Sequence, residues 1–320
     1  MKPRFYNMDC VEGCRQHLDD ECVDLIITDP PYGIEGDALH KHYNRNEGYV
    51  VDGYHEVSRS DYERFSREWI AQAERILRPG GAIYIVSGYT HLREILNALH
   101  QTRLQEVNHL IWKYNFGVYT KSKYVSSHYH MLFWVKPGKR PTFNTYARYG
   151  ANERDAHGGS LNYLDREDVW IINREYKPGR LKNKNELPHA LLQKILQYSS
   201  HENDVVCDLF LGSFATAKVA WGLNRNVCGF EISTPIFDYH LQEFQRLDKG
   251  YLIREIRTPA PNQQSRQGVR WTREELAGLE SRYQALKAQG LTKKAAIAQL
   301  VSEMSRGRFA ILNALKRLGY

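Results

Sequence analysis

Short apolar runs rich in β-branched residues alternate with helical patterns along this chain, and that alternation limits the folds open to it. Strands are predicted at 23–28, 82–87, 109–114, 130–135, 204–210 and 226–232. Helices are predicted at 61–81, 90–101, 187–200 and 214–224, the first ended by Pro-Gly-Gly and the second capped by Thr90. Strands that alternate with helices form parallel sheets with both faces covered. The prediction is therefore an α/β fold built on a doubly wound, mixed but mostly parallel sheet.

The C-terminal fifth of the chain has a different organisation. Residues 257–268 are rich in Pro, Gln and Ser, which is typical of a linker. Residues 269–320 carry three short helical patterns, with Gly290 ending the first and Thr292 and Ser305 capping the next two. The predicted domains are 1–256, which contains an aperiodic loop at 33–60 typical of a lid, and a small all-α domain at 269–320.

Positive charge is concentrated in two segments. Residues 113–184 hold 14 Lys and Arg against 6 Asp and Glu, and residues 257–320 hold 12 against 4. The remaining residues hold 18 against 27. One basic run is usually a solvated helix face, but the same excess in two separate segments favours a polyanionic partner through counterion release.

Other features argue against several protein classes. The five cysteines include no Cys-x-x-Cys pair, which argues against a disulfide framework or structural zinc and favours reduced thiols. No apolar run approaches the roughly 20 residues that span a bilayer, and no signal peptide is evident, so the expected location is the cytoplasm. Polar loop histidines such as His40, His42 and His55 more often contact phosphate or solvent than metal, and no metal is predicted.

The tetrapeptide Asp29-Pro30-Pro31-Tyr32 follows the predicted strand 23–28, where a parallel strand normally leads into a helix. The prolines fix φ, and this holds the Pro30 carbonyl in place. Asp29 and that carbonyl can accept both N–H groups of an exocyclic amine, while Tyr32 offers a ring on which an extruded base can stack. The motif fits alkylation of a nucleobase amine. The alternative is a proline-rich turn capped by Asp29.

A second motif, at 204–213, is a strand that passes into a Gly-containing turn and then a helix. Nucleotide-like cofactors meet the carboxyl edge of a sheet in this way. Gly212 allows the backbone to approach a cofactor closely, and Glu231, at the end of the next strand, suits the two hydroxyls of a ribose. The Gly-x-Gly-x-x-Gly spacing of a dinucleotide site is missing.

In this order, the two motifs resemble those of the permuted beta group of DNA amino-methyltransferases, which methylate adenine N6 or cytosine N4 with S-adenosylmethionine. The resemblance covers roughly residues 5–250 and includes "NMDC", "LRPGGAIYIVS", "HYHMLFWVKPGK", "LPHALLQKIL" and "DLFLGSFATA". It implies a Rossmann-like methyltransferase fold, S-adenosylmethionine as cofactor, and double-stranded DNA with the target base flipped out as partner. Homodimers are common in that group, so a homodimer is a possible assembly.

The resemblance also implies residue roles. Asp29, Pro30, Pro31 and Tyr32 would hold the target amine and base. Asp9 and the Cys10 backbone would meet the cofactor's adenine, and Glu231 its ribose. The remaining cofactor contacts, at the methionine end, would be Asn183, Asn185, Pro188, Asp208, Phe210, Gly212 and Ser213. The cofactor loop departs from the family pattern, with Leu209, Phe214 and Ala215 where Pro, Gly and Thr are usual.

The choice of base and the DNA contacts also rest on the resemblance. Asp at the head of the tetrapeptide is usual in adenine enzymes and Ser in cytosine enzymes, so adenine is favoured and cytosine N4 or RNA stays open. Segment 113–184 lies where the group carries its target-recognition region, and the C-terminal helices resemble a helix-turn-helix module. The candidate DNA contacts are Lys121, Lys123, Lys139, Arg140, Arg148, Arg306 and Arg308.

Three questions remain open from the sequence. The C-terminal helices could instead pack on the catalytic domain or on a second subunit. The altered cofactor loop fits a catalytically silent DNA-binding regulator, which the intact Asp29–Tyr32 motif opposes. Restriction-modification and a solitary regulatory role are both compatible with the sequence.

Overall fold

The computed structural model describes residues 2–31, 57–115, 117, 119, 121–174, 186–259, 271–304 and 306–320. The strands within these ranges are β1 (Arg4–Tyr6), β2 (Val23–Thr28), β3 (Leu77–Ser87), β4 (Gln105–Lys113), β5 (His128–Val135), β6 (Val169–Ile171), β7 (Val205–Asp208) and β8 (Asn226–Phe230). The helices are α1 (Cys10–His17), α2 (Tyr62–Ile76), α3 (Leu92–His100), α4 (Leu161–Asp165), α5 (His189–Ser199), α6 (Ala215–Gly222), α7 (Thr234–Phe244), α8 (Arg273–Ala288), α9 (Lys293–Met304) and α10 (Arg308–Arg317).

The strands form one sheet in the order β1-β8-β7-β2-β3-β5-β4-β6. All neighbouring pairs are parallel except those that β5 makes with β3 and β4. From β2 the chain continues to β3 on one side, whereas β7 continues to β8 on the other, so the order reverses between β2 and β7. Ligands of open α/β sheets bind at the carboxyl ends of the strands at such a reversal.

Helices cover both faces of the sheet, which confirms the predicted doubly wound fold. Successive side chains of a strand point to opposite faces. Leu25 and Ile27 of β2 accordingly join a core with α5 and α6, whereas Ile26 joins a core with α1 and α2 that includes Trp69.

Two predicted boundaries were wrong. The helix predicted at 61–81 ends at Ile76, because the Pro-Gly-Gly segment belongs to β3 and pairs with the end of β5: the Gly80 N–H donates to the Lys136 carbonyl over 2.8 Å. Thr90 does not cap α3, where His91 occupies the N-cap position without a capping side-chain hydrogen bond.

The chain divides into two compact units. The first, or catalytic, unit contains Met1–Arg148 and Tyr163–Thr258, and the second contains Tyr149–Asn162 and Pro259–Tyr320. Arg257 lies in the first unit, where its carbonyl accepts a hydrogen bond from Gln197, although the sequence places it in the linker. None of the described helices combines the length and apolar character needed to cross a bilayer.

The second unit has its own apolar core, formed by Leu279, Leu286, Leu300, Ile311, Leu315 and their neighbours. Thr272 and Glu275 form a capping box at the start of α8, and the Thr292 hydroxyl accepts the Ala295 N–H over 3.2 Å at the start of α9. Gly307 is the N-cap residue of α10, and Ser305, the predicted cap, lies outside the described residues.

Candidate active site

The Asp29-Pro30-Pro31 corner directly follows β2 at the carboxyl edge of the sheet. The Tyr62 hydroxyl donates to the Pro31 carbonyl over 2.7 Å. Tyr62 is buried and its ring stacks on His91 with the centroids 3.9 Å apart, so α2 holds the corner rigidly. Within the described residues, no hydrogen bond to the Pro30 carbonyl is found. Tyr32 and nearly all of the predicted lid lie outside the described residues.

A buried hydrogen bond joins this corner to the turn after β7. The Thr28 hydroxyl, which immediately precedes Asp29, donates to Asp208 Oδ1 over 3.0 Å, and the Phe210 N–H donates to the same oxygen over 3.1 Å. Burial raises the pKa of Asp208 to about 7, and the Glu231 charge adds to the rise, while the hydrogen bonds from Phe210, Thr216 and Thr28 oppose it. The two motifs that the sequence singled out therefore meet across the β2–β7 reversal.

Hydrogen bonds connect the turn after β7 to the end of β8. Leu211 donates its N–H to the Phe230 carbonyl over 2.8 Å, and the Gly212 N–H donates to Glu231 Oε2 over 2.9 Å. Gly212 has a φ of +47°, which suits a glycine. The other Glu231 oxygen accepts the Ser233 N–H over 2.8 Å, so both oxygens of this carboxylate have fixed positions.

Aromatic packing sets the walls of the same turn. The Phe210 ring lies edge-on to buried Trp69 at 5.5 Å and near Phe65 at 5.7 Å. Phe214 is fully buried and packs edge-on against Phe5 at 4.9 Å. Ser213, between them, is also buried.

The predicted adenine contacts lie at the neighbouring strand end. Asp9 is the N-cap of α1, and its Oδ1 accepts the N–H groups of Val11 at 2.9 Å and Glu12 at 3.1 Å. Two residues earlier, the Asn7 amide donates to the Glu231 carbonyl over 2.8 Å, which joins the ends of β1 and β8. Burial raises the pKa of Cys10 well above its usual range, so this thiol stays protonated.

The third predicted cofactor segment is only partly described. Pro188 is the N-cap of α5, and its carbonyl accepts the N–H groups of Leu191 and Leu192. Asn183 and Asn185 lie outside the described residues.

The sequence missed a cluster of aromatic residues at the ends of β4 and β5. The Arg174 guanidinium lies 4.8 Å from the ring centre of Tyr114, 5.3 Å from that of Tyr129 and 5.9 Å from that of Trp112, and it donates to the Tyr129 hydroxyl over 2.9 Å. Burial raises the pKa of Tyr129; the Arg174 charge opposes the rise and the Asp29 charge adds to it. The cluster therefore lies within electrostatic range of the Asp29 corner.

The predicted DNA contacts fall into two groups. Lys121, Lys123, Lys139 and Arg140 are exposed, as is Arg308. Arg148 is engaged inside the catalytic unit, where it donates to Asp165 and Gln197 over 2.9 Å each. Arg306 is buried and donates to Glu275 over 2.7 Å. Both guanidiniums thus have internal partners, whereas the other predicted DNA contacts face solvent, and the contacts themselves remain predictions.

Within the described residues, no group of three or more His, Cys, Asp and Glu side chains is placed to hold a metal ion. The loop histidines at 40, 42 and 55 lie outside those residues.

Comparison with known proteins places these motifs in one family. A family model described as DNA methylase (N6_N4_Mtase) matches residues 23–242. The type II methyltransferase M.HpaI of Haemophilus parainfluenzae is 30% identical over 245 residues, which cover 74% of this chain and 71% of that protein. M.BamHI of Bacillus amyloliquefaciens is 33% identical over 246 residues, 72% of this chain and 54% of that protein.

Solved structures share the fold of the catalytic unit. TTHA0409 of Thermus thermophilus, a putative DNA modification methylase complexed with S-adenosyl-L-methionine, aligns with a TM-score of 0.56 at 19% identity, covering 76% of this chain and 93% of that one. The cytosine-N4-specific PvuII DNA methyltransferase aligns with a TM-score of 0.58 at 13% identity, covering 82% of this chain and 96% of that one.

Proposed function

We propose, from the premise that this chain belongs to the N6/N4 DNA methylase family, that it transfers a methyl group from S-adenosylmethionine to the N6 amine of adenine in DNA. The reaction class and the cofactor follow from membership of this family. The hydrogen bond from Thr28, the residue before Asp29, to Asp208 supports the proposed site, because the proposed amine-binding corner and the proposed cofactor turn are neighbours there.

The residues around the cofactor turn fit S-adenosylmethionine. Glu231 presents a carboxylate, fixed by two backbone N–H groups, of the kind that ribose hydroxyls need. Phe210, Gly212 and Ser213 would surround the methionine end beside Asp208, and Asp9 and Cys10 would meet the adenine. When bound, the cofactor supplies an electrophilic methyl group on a sulfonium.

The protein's own contribution is to hold the amine. Asp29 would accept one N–H of the target nitrogen and the Pro30 carbonyl the other, which directs the nitrogen lone pair away from the ring. The lone pair would form the new N–C bond as the C–S bond of the sulfonium breaks and the neutral thioether leaves. Asp29 would stabilise the positive charge that develops on nitrogen, and the proton that the nitrogen then loses would pass to solvent. Holding both partners in line supplies much of the rate enhancement.

Adenine is proposed on one feature, the Asp at the head of the tetrapeptide. The fold does not separate the two bases, because a cytosine-N4-specific enzyme shares it. Cytosine N4 is therefore the second candidate.

Double-stranded DNA with the target base flipped out is the proposed substrate. The exposed Lys121, Lys123, Lys139 and Arg140 would contact phosphates, with Tyr124, 99% exposed, among them. Cytoplasmic location and the possible homodimer remain proposals that follow from the family.

The test is to incubate the protein with labelled S-adenosylmethionine and mixed DNA or RNA and to identify the modified nucleoside by mass spectrometry. N6-methyladenine in DNA that disappears in Asp29→Ala supports the proposal. Asp19→Ala is the matched control, because Asp19 is an exposed carboxylate before β2 and should not affect transfer. Formation of N4-methylcytosine would show that the target base is cytosine and not adenine. The absence of methyl transfer to any nucleic acid would refute the proposed activity.

A further inference from the structure

The three helices of the second unit lie beyond the part of the chain that the family accounts for. The family model ends at residue 242, whereas α8, α9 and α10 span Arg273–Arg317 around a core of their own. Residues 271–320 hold 9 Lys and Arg against 4 Asp and Glu. The methyltransfer site does not explain why these helices are present or why they are basic.

The turn between α9 and α10 is fixed by internal contacts. Arg306, in this turn, stacks over the Trp271 ring at 4.4 Å and pairs with Glu275 at 2.7 Å. Glu275 also belongs to the capping box of α8. A buried guanidinium with these partners holds the turn against α8, and the orientation of α10 follows from it.

One face of α10 has no partner within the described residues. Ile311, Ala314 and Leu315 face the core, whereas Phe309, Asn313, Lys316 and Arg317 are exposed on the opposite side. Phe309 is 79% exposed. Neither Lys316 nor Arg317 pairs with a described carboxylate, and the Asn313 amide bonds to no described group.

Three of the four acids in residues 271–320 have partners away from this face. Glu275 pairs with Arg306, Glu303 pairs with Arg282 at 2.7 Å, and Glu280 accepts the Tyr320 hydroxyl over 2.9 Å. Helix α10 itself contains no acid. Within the described part of the chain, no acid forms an ion pair with Lys316 or Arg317 on its exposed face.

We infer that this face of α10 is a second DNA-binding surface that enters the major groove, separate from the methyltransfer site. The major groove admits an α-helix. Lys316 and Arg317 would neutralise phosphates, Asn313 carries the amide that reads adenine edges, and Phe309 can contact thymine methyl groups. The inference rests on the proposed function only in taking the polyanion to be DNA.

The test uses the full chain and a fluorescently labelled random-sequence duplex. Affinity is measured by anisotropy over a series of salt concentrations for the protein, for Lys316→Gln/Arg317→Gln and for a control, Arg273→Gln/Lys287→Gln. The control removes two exposed charges from α8 of the same unit. We expect the α10 variant to bind DNA about tenfold more weakly. The slope of log affinity against log salt concentration should be about 2 smaller in magnitude, since each phosphate contact contributes about 0.9 to that slope. The control should lose neither.

A second variant tests base reading. Asn313→Ala should keep the salt slope but change the base preferences selected from a pool of random duplexes. Thermal unfolding of each variant identifies any loss of fold.

The inference is overturned if the α10 variant matches the control, or if the protein binds RNA duplexes more tightly than DNA through this face. Methyl transfer by the unaltered protein is measured separately. Its absence would refute the proposed function without affecting the result for α10.

Discussion

Phe214 adopts a left-handed backbone conformation at a position where the related cofactor loops usually have glycine. Its φ is +61° and its ring is fully buried. A non-glycine residue pays about 1–2 kcal/mol for this conformation. The ring offsets that cost by packing against Phe5, Phe237 and His240. The unusual loop sequence is therefore compatible with the same turn.

We expect Phe214→Gly to lower the free energy of unfolding by about 2–4 kcal/mol, because the lost core packing exceeds the strain that is relieved. Urea denaturation measures this difference. Asn224→Gly is the control, since Asn224 has a φ of +66° but is only half-buried, and its effect should be small. Equal stability of Phe214→Gly and the unaltered protein would show that the ring contributes nothing to the turn.

Asp208 should give the protein a distinctive pH dependence. Burial raises its pKa to about 7, so the folded state binds a proton that the unfolded state releases near pH 4. The contribution of Asp208 to stability therefore falls as pH rises from about 4 to 7, by at most about 1.4 kcal/mol per pH unit. The difference in unfolding free energy between the protein and Asp208→Asn, measured by urea titration at several pH values, should decrease over that range. A difference independent of pH would contradict the assignment.

At the scale of elements, the reversal between β2 and β7 determines where the site lies. The sequence predicts both strands and both motifs, because apolar runs followed by Pro or Gly turns are local signals. It does not predict that Thr28 bonds to Asp208, 180 residues away, because register between distant strands has no local signature.

The ends of β4 and β5 illustrate the same limit. The two strands were predicted, but their antiparallel pairing was not, and that pairing is what brings Trp112 beside Tyr129. Arg174 follows β6, whose neighbour is β4, and the Trp112 indole donates to the Ile172 carbonyl over 2.8 Å. Three separate segments thus surround one guanidinium, and no sequence motif indicates it.

We expect Arg174→Gln to lower kcat/KM for DNA about tenfold without changing affinity for S-adenosylmethionine, because it removes the cation from an aromatic cluster within electrostatic range of Asp29, the proposed amine acceptor. Steady-state kinetics and calorimetric titration separate the two effects. Arg254→Gln, an exposed charge elsewhere in the catalytic unit, should change neither quantity. If Arg174→Gln instead weakens cofactor binding, the cluster belongs to the cofactor site.

For the whole molecule, the positive charge is concentrated in two segments of the sequence, 113–184 and 257–320. The remaining residues, which include the turn after β7, carry a net negative charge, and the two basic segments hold 26 of the 44 Lys and Arg residues. Composition alone could predict this division. It could not distinguish cations that face solvent, such as Lys316, from those that stabilise the fold, such as Arg148 and Arg306.

This division predicts the result of two truncations. A chain ended at Thr258 keeps the whole C-terminal end of the catalytic unit and should bind S-adenosylmethionine within about twofold of the full chain. It should bind DNA about tenfold more weakly, and its DNA affinity should depend less steeply on salt concentration, because the basic helices have been removed. A chain ended at Ile256 also loses Arg257, whose carbonyl accepts Gln197 and whose guanidinium donates to the Arg148 carbonyl, so its melting temperature should be lower. Calorimetry, anisotropy and thermal unfolding measure the three quantities. If the longer truncate fails to bind the cofactor, the C-terminal helices are part of the catalytic fold and not a separate DNA-binding unit.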